Sequence, residues 1–92
     1  MGFQNYPFST GQATITAAAS LIVPANAARS GLVITNTSNT VDVYLIENTN
    51  GTASTGQLLP GTKGASIGFS TTGAVYGITA GGSATITWLQ TQ

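Results

Sequence analysis

The feature that most constrains the fold of this chain is a series of short runs in which apolar or β-branched residues alternate with Thr, Ser and Gly. Turn-forming residues interrupt these runs about every 8–12 positions, a spacing typical of β-sandwiches and small barrels. Alternation with a period of two is typical of strands that bury one face. The sequence therefore predicts an all-β fold, a small antiparallel β-sandwich or jelly-roll-like barrel of about seven short strands with an extended N-terminal arm.

The strand-forming runs are bounded by Gly, Pro and Asn, which favour turns. Two of them, 31–36 and 41–46, flank a turn cluster at 36–40, and we expect them to pair as a hairpin. Val41, Val43 and Leu45 share one face of the second run, and we expect that face to lie in the core. Further strands are predicted at 13–23 (interpreted as one extended run), 57–59, 65–69, 74–78 and 83–89.

Residues 1–11 lack this periodicity, yet they hold three of the seven aromatic residues. We expect an N-terminal arm over 1–11 and a β-sandwich domain over 12–92. Aromatic side chains are common anchors of protein interfaces, so the arm is a candidate partner-binding segment. An alternative that the sequence favours equally is an edge segment that folds back over its own core. The candidate contact residues are Phe3, Tyr6, Pro7 and Phe8.

Charged residues are almost absent, and the formal net charge is zero. An ordinary domain contains about 25% charged residues, and a free small domain usually carries net charge that keeps it soluble. A neutral surface suits copies packed in a dense array, whereas a monomer solvated by hydroxyls and amides is the alternative. Nucleic acid is not an expected partner, because Arg29 and Lys63 are the only cations. No apolar run is long enough to predict a membrane span.

The chain has few groups that perform chemistry, because it contains no His and no Cys. No disulfide or Cys/His zinc site is therefore expected, and we predict no enzyme activity, cofactor or metal. Residues 64–68 match the G-x-S-x-G nucleophile elbow, but that serine needs a His base and a strand–turn–helix setting. The spacing of Asp42 and Glu47 does not suit two-carboxylate hydrolysis. Arg29 and Lys63 are candidate ion-pair partners of Asp42.

Two polar loops, Asn36–Thr40 and Glu47–Gly56, are candidate binding loops, because exposed loops often carry function. The dipeptide Asn50-Gly51 favours a tight turn at the tip of the second loop. A surface Tyr44 and these Asn- and Thr-rich loops are candidates for binding sugar. The candidate loop contacts are Asn36, Asn39, Asn50 and Thr52.

The run at 29–37, RSGLVITNT, resembles a pattern in small virion proteins of tailed bacteriophages. The pattern continues as VYL at 43–45, GAVYGI at 73–78 and ATIT at 84–87, and the resemblance covers roughly residues 25–89. It implies a β-sandwich on the outside of a virion, usually oligomeric, of the capsid decoration, minor capsid, head-fibre or tail-ornament type. It implies no catalytic residues, and it does not include the arm.

These observations predict a non-enzymatic viral structural protein, a capsid decoration or minor capsid protein on the outer surface of a bacteriophage capsid or tail. We expect it to form a homo-oligomer, with a trimer as the expected state, and to bind the major capsid protein or another virion protein. The alternative is a receptor- or glycan-binding module of a phage tail or cell surface. A third hypothesis is a pilin-like subunit that donates its N-terminal strand, which would need a secretion signal that the sequence does not show.

Overall fold

All the regular structure in residues 8–91, the part of the chain that the computed structural model describes, is β-strand. This confirms the predicted all-β fold, although the strands number eight, and none of them contains a charged residue. No helix in this range could cross a membrane. The strands are β1 (Phe8–Ile15), β2 (Ser20–Val23), β3 (Gly31–Asn36), β4 (Val43–Ile46), β5 (Gln57–Leu59), β6 (Ala65–Phe69), β7 (Val75–Ile78) and β8 (Ala84–Thr91).

The strands form two four-stranded antiparallel sheets. Sheet A has the order β1-β8-β3-β6, and sheet B has the order β2-β7-β4-β5. In each sheet, strands from the first half of the chain pair with strands from the second half, as β1 with β8, β2 with β7, β3 with β6 and β4 with β5. The chain thus forms one long antiparallel hairpin that turns back at the β4–β5 connection. This hairpin curls on itself, so that β3 also pairs with β8 and β4 also pairs with β7. That topology is an eight-stranded jelly roll.

Two predicted details of the pairing are wrong. The strands β3 and β4 do not form a hairpin, because they lie in different sheets and residues 37–42 carry the chain between them. The run predicted at 13–23 is not continuous, because residues 16–19 form a corner between β1 and β2. At that corner the Thr16 hydroxyl accepts a hydrogen bond from the Ala18 amide at 3.2 Å. This division explains why eight strands form where about seven were predicted.

The core lies between the two sheets and is built from the strand residues whose side chains face inward. Val43 and Leu45 belong to it, as predicted. A register shift between Leu21 and Val23 lets two consecutive residues of β2 face inward. The other buried members of the core are Ile15, Ile22, Val23, Leu32, Ile34, Leu59, Val75, Ala84 and Ile86.

The loops gather at the two ends of the sandwich. The Asn36 end, as we call it, carries the connections 16–19, 37–42, 60–64 and 79–83. The opposite Arg29 end carries 24–30, 47–56 and 70–74, together with the start of β1 and the end of β8.

The strand β1 begins at Phe8, four residues before the domain boundary that we predicted. Phe8 pairs with Thr91, so residues 8–11 belong to sheet A. The other predicted arm contacts, Phe3, Tyr6 and Pro7, lie outside the described residues. Phe8 itself is 63% exposed on the outer face of sheet A.

Candidate interaction surfaces

Asn36, predicted as a loop contact, is fully buried at the end that bears its name. Its Nδ2 donates to the carbonyl oxygens of Val41 at 3.0 Å and Pro60 at 3.1 Å, with a longer contact to Leu59. Its Oδ1 accepts from the Ser38 amide at 2.8 Å. The amide therefore joins the end of β3 to the chain around β4 and β5, and it is not available to a partner.

The buried Arg29 performs the corresponding role at the opposite end, where it is 5% exposed. Its Nε donates to Oε1 of Gln90 at 2.9 Å, and Nη1 donates to the carbonyl oxygens of Thr71 and Gly73, both at 3.0 Å. Nη2 donates to the carbonyl oxygen of Pro24. One side chain therefore joins three segments of the chain, and it does so through uncharged acceptors.

The ion pair considered between Arg29 and Asp42 is wrong, because the two residues lie at opposite ends of the sandwich. Oδ1 of Asp42 instead accepts from the Gly61 amide at 2.6 Å. Asp42 and Glu47 precede and follow β4, so they also lie at opposite ends. Among residues 8–91, no three His, Cys, Asp or Glu side chains gather where they could hold a metal ion.

The G-x-S-x-G segment lies at the start of β6 and along that strand, so it does not form the sharp strand-to-helix turn of a nucleophile elbow. The Ser66 hydroxyl lies 2.8 Å from Oγ1 of Thr35 and donates to the Gly64 carbonyl at 3.2 Å. These are contacts of a side chain on the outer face of sheet A.

The candidate binding loops are separated by the length of the sandwich. Asn39 is exposed at the Asn36 end, whereas Asn50 and Thr52 are exposed at the Arg29 end. The two loops therefore do not come together into one binding surface. Within the second loop, Asn48 Oδ1 accepts from the Asn50 amide at 2.8 Å, which shapes a local turn.

The outer face of sheet B presents a group of apolar and aromatic side chains. The pairing register places its side chains in two rows of three across the strands. Leu21 and Leu58, at opposite corners, are 45% and 44% exposed. One row is Leu21, Tyr76 and Ile46, and the other is Ile78, Tyr44 and Leu58; we call these six residues the sheet B face.

The loop 47–56 covers one corner of the sheet B face. Ile46 points outward yet is only 4% exposed, because this loop folds over it. A Cβ at Gly51 would lie 2.6 Å from the Cβ of Ile46, so only glycine permits this approach. Tyr44, Tyr76 and Ile78 stay half-buried. The adjoining exposed and half-buried apolar side chains of this face make it a candidate interaction site.

A cleft of about 430 Å³ opens into the core at the Arg29 end, between the edges of the two sheets. It exists because β5 has only three residues and leaves the inward-facing Ile67 and Phe69 of β6 half-exposed. Leu45, Ile46, Ala74 and Val75 also line it, together with Glu47.

The outer face of sheet A is uncharged and carries many hydroxyl groups together with the apolar Phe8, Val33 and Leu89. A shallow depression of about 590 Å³ lies along it, with Thr10, Gln12, Thr35 and Thr87 around a floor that includes Val33. The two outer faces thus differ, since sheet A mixes hydroxyl groups with apolar side chains and sheet B presents two apolar rows.

Sequence reasoning identified Tyr44 as a surface residue but missed the other members of the sheet B face. Tyr76 and Leu21 come together only because β7 lies between β2 and β4, and that order depends on long-range pairing. The local signal was the alternation of Tyr76 and Ile78 on one side of their strand.

Comparisons of this chain with protein-family models, with curated proteins and with solved structures find no match. The resemblance to bacteriophage virion proteins therefore stays a prediction.

Proposed function

We propose that this chain is a non-enzymatic structural protein of a bacteriophage virion, of the capsid decoration or minor capsid type. Copies of the chain associate, and the assembly binds the outer surface of the shell through the sheet B face. Jelly rolls occur in viral capsid proteins and in lectins, so the fold agrees with this function by analogy only. The observation that carries the proposal is the uncharged, apolar sheet B face.

The chemistry of the sheet B face suits a protein partner. Fully burying a leucine contributes about 1.5–3 kcal/mol, so burying the exposed halves of Leu21 and Leu58 would contribute about 1.5–3 kcal/mol between them. Tyrosine, which is enriched at binding hot spots, lies in the middle of the face as Tyr44 and Tyr76. A single patch of this size gives modest affinity, and repetition around a shell multiplies it by avidity.

The predicted arm belongs to the same proposal. The segment 1–7 precedes Phe8 at the Arg29 end, where the cleft beside Phe69 is also found. An apolar cleft suits an aromatic ring such as that of Phe3 or Tyr6 from a neighbouring copy or another virion protein.

The decisive experiment is co-sedimentation of the full-length protein with phage particles assembled without it. We expect saturable binding that is lost in Leu58→Lys, since a lysine would place a charge within the apolar face. The matched control is Val33→Lys, because Val33 is equally exposed (41%) but lies on the outer face of sheet A. Binding that both variants retain would show that the sheet B face is not the contact. No binding by the unmodified protein would overturn the virion proposal.

One observation favours a second candidate, a glycan-binding module. Tyr44 and Tyr76 are diagonal neighbours on the sheet B face, because Tyr44 pairs with Ile78 and Tyr76 pairs with Ile46. Two rings on a sheet surface can stack against sugar rings. Glycan-array binding that disappears in Tyr44→Ala and persists in Asn39→Ala would support this candidate, whereas the absence of any glycan signal would reject it.

A further inference from the structure

The free edge of β1 is the feature that the proposed function does not yet use. β1 is an edge strand of sheet A, and within residues 8–91 it pairs only with β8. It is the longest of the four edge strands, with eight residues against four in β2, three in β5 and five in β6. Its register with β8 is continuous from Phe8 to Ile15, without a bulge.

An edge of this kind carries unsatisfied hydrogen-bonding groups. In an antiparallel pair, alternate residues direct their N–H and C=O groups away from the partner strand. About half of the eight residues of β1 therefore present backbone donors and acceptors along its free side, over about 27 Å. These groups form a template for one more strand.

Within Phe8–Ile15, the edge also lacks the sequence features by which strands prevent such pairing. Natural edge strands carry Lys, Pro, inward-pointing charges or bulges, and β1 (FSTGQATI) has none of these. Its inward-facing residues before Ile15 are the small Ser9, Gly11 and Ala13, so a neighbouring backbone meets little steric resistance. The half-buried ring of Trp88 lies over Gly11 and would be covered by a partner strand.

We infer that β1 pairs antiparallel with β1 of a second copy, so that two A sheets join into one continuous eight-stranded sheet. A second copy fits this edge because antiparallel pairing of a strand with itself is two-fold symmetric, the commonest symmetry of homo-oligomers. Near the two-fold axis, such a contact places a residue beside the same residue of the second copy. Charged residues at these positions would repel each other. No residue of β1 is charged, so repulsion does not arise. This inference rests on the self-association in the proposed function and names the edge that mediates it, and it replaces the trimer expected from the sequence with a two-fold oligomer.

Cysteine cross-linking of the full-length protein tests the pairing, because the natural chain contains no cysteine that would interfere. Single variants Thr10→Cys, Gln12→Cys and Ala13→Cys are oxidised with diamide, and the Thr10→Cys and Gln12→Cys proteins are also oxidised as a mixture. If a two-fold axis passes near the centre of β1, one of these samples brings two cysteines directly opposite each other, within the 4.4–6.8 Å Cα separation of a disulfide. The control is Val33→Cys, because Val33 is exposed in an interior strand of the same sheet. Its rate measures disulfide formation through contact between sheet faces and through random collision.

We expect one sample to form covalent dimers at least ten times faster than Val33→Cys, with slower reaction at the neighbouring positions. Equal rates in all samples, or a rate that is highest for Val33→Cys, would overturn the edge pairing. The native mass of the unmodified protein provides the second measurement. An even-numbered oligomer agrees with the pairing, whereas a closed trimer would refute it and leave the proposed function standing. A monomer at every concentration would remove both the edge pairing and the proposed self-association, and shell binding would then be judged by co-sedimentation alone.

Discussion

Replacing Arg29 with methionine would remove the side chain that holds the Arg29 end together. The substitution keeps most of the aliphatic volume and deletes four hydrogen bonds, one to the Gln90 side chain and three to backbone carbonyls. A buried acceptor that loses its donor costs about 1–3 kcal/mol, with the lower values where water can enter. The carbonyls are part-buried and the Gln90 contact is buried. We therefore expect a loss of about 3–5 kcal/mol, after allowing for the relief of a buried charge.

Such a loss is large for a domain of this length, whose stability is expected to be about 5–14 kcal/mol. Urea unfolding monitored by the fluorescence of Trp88, the only tryptophan, measures the loss. The slope against denaturant should stay constant, so that the shift in midpoint reports stability alone. Lys63→Met, at an exposed turn, is the control and should change stability by less than about 0.5 kcal/mol. A loss below about 1 kcal/mol for Arg29→Met would refute the view that this network holds the end together.

Three further outcomes are expected. Asn36→Ala should lower the free energy of unfolding by about 2–4 kcal/mol in the same assay, because buried carbonyls lose their hydrogen-bond donor and a small cavity remains. A loss below about 1 kcal/mol would contradict this. Gly11→Ala should lower the free energy of unfolding by about 1–3 kcal/mol and shift the Trp88 emission, because the new Cβ would lie 2.5 Å from Cζ2 of the indole. The control is Gly68→Ala, whose new Cβ would have its nearest neighbour at 3.6 Å and should leave the emission unchanged. Self-association should persist or strengthen in 1 M salt, because uncharged contacts are not screened; dissociation on adding salt would show that charge holds the copies together.

The fold class and most strand positions were predictable, because they depend on local patterns. Alternation of apolar and polar residues marks a half-buried strand whichever partner it has, and this placed Val43 and Leu45 correctly in the core. Asn and Gly clusters marked the turns equally well.

The pairing of the strands was not predictable from local patterns. The sequence around 36–40 suggests a hairpin turn, but Asn36 turns its side chain inward to bond Val41 and Pro60, and the chain crosses to the other sheet. In the same way, nothing near Arg29 indicates that three of its four partners lie 42, 44 and 61 positions away along the chain. The candidate surfaces depend on this long-range arrangement, so their residues came together only in the structure.

The placement of the few charged residues connects the fold to its proposed role. All four lie in loops, and two of them serve the fold, since Arg29 is buried and Asp42 accepts from a backbone amide. The strands therefore present outer faces and sheet edges without charge, although charge is the usual means of preventing association between neighbours. In a free monomer such edges would be a liability. In a shell, where identical copies lie close together, the same surfaces can pair without repulsion, and that difference supports an assembled state as the working form of this chain.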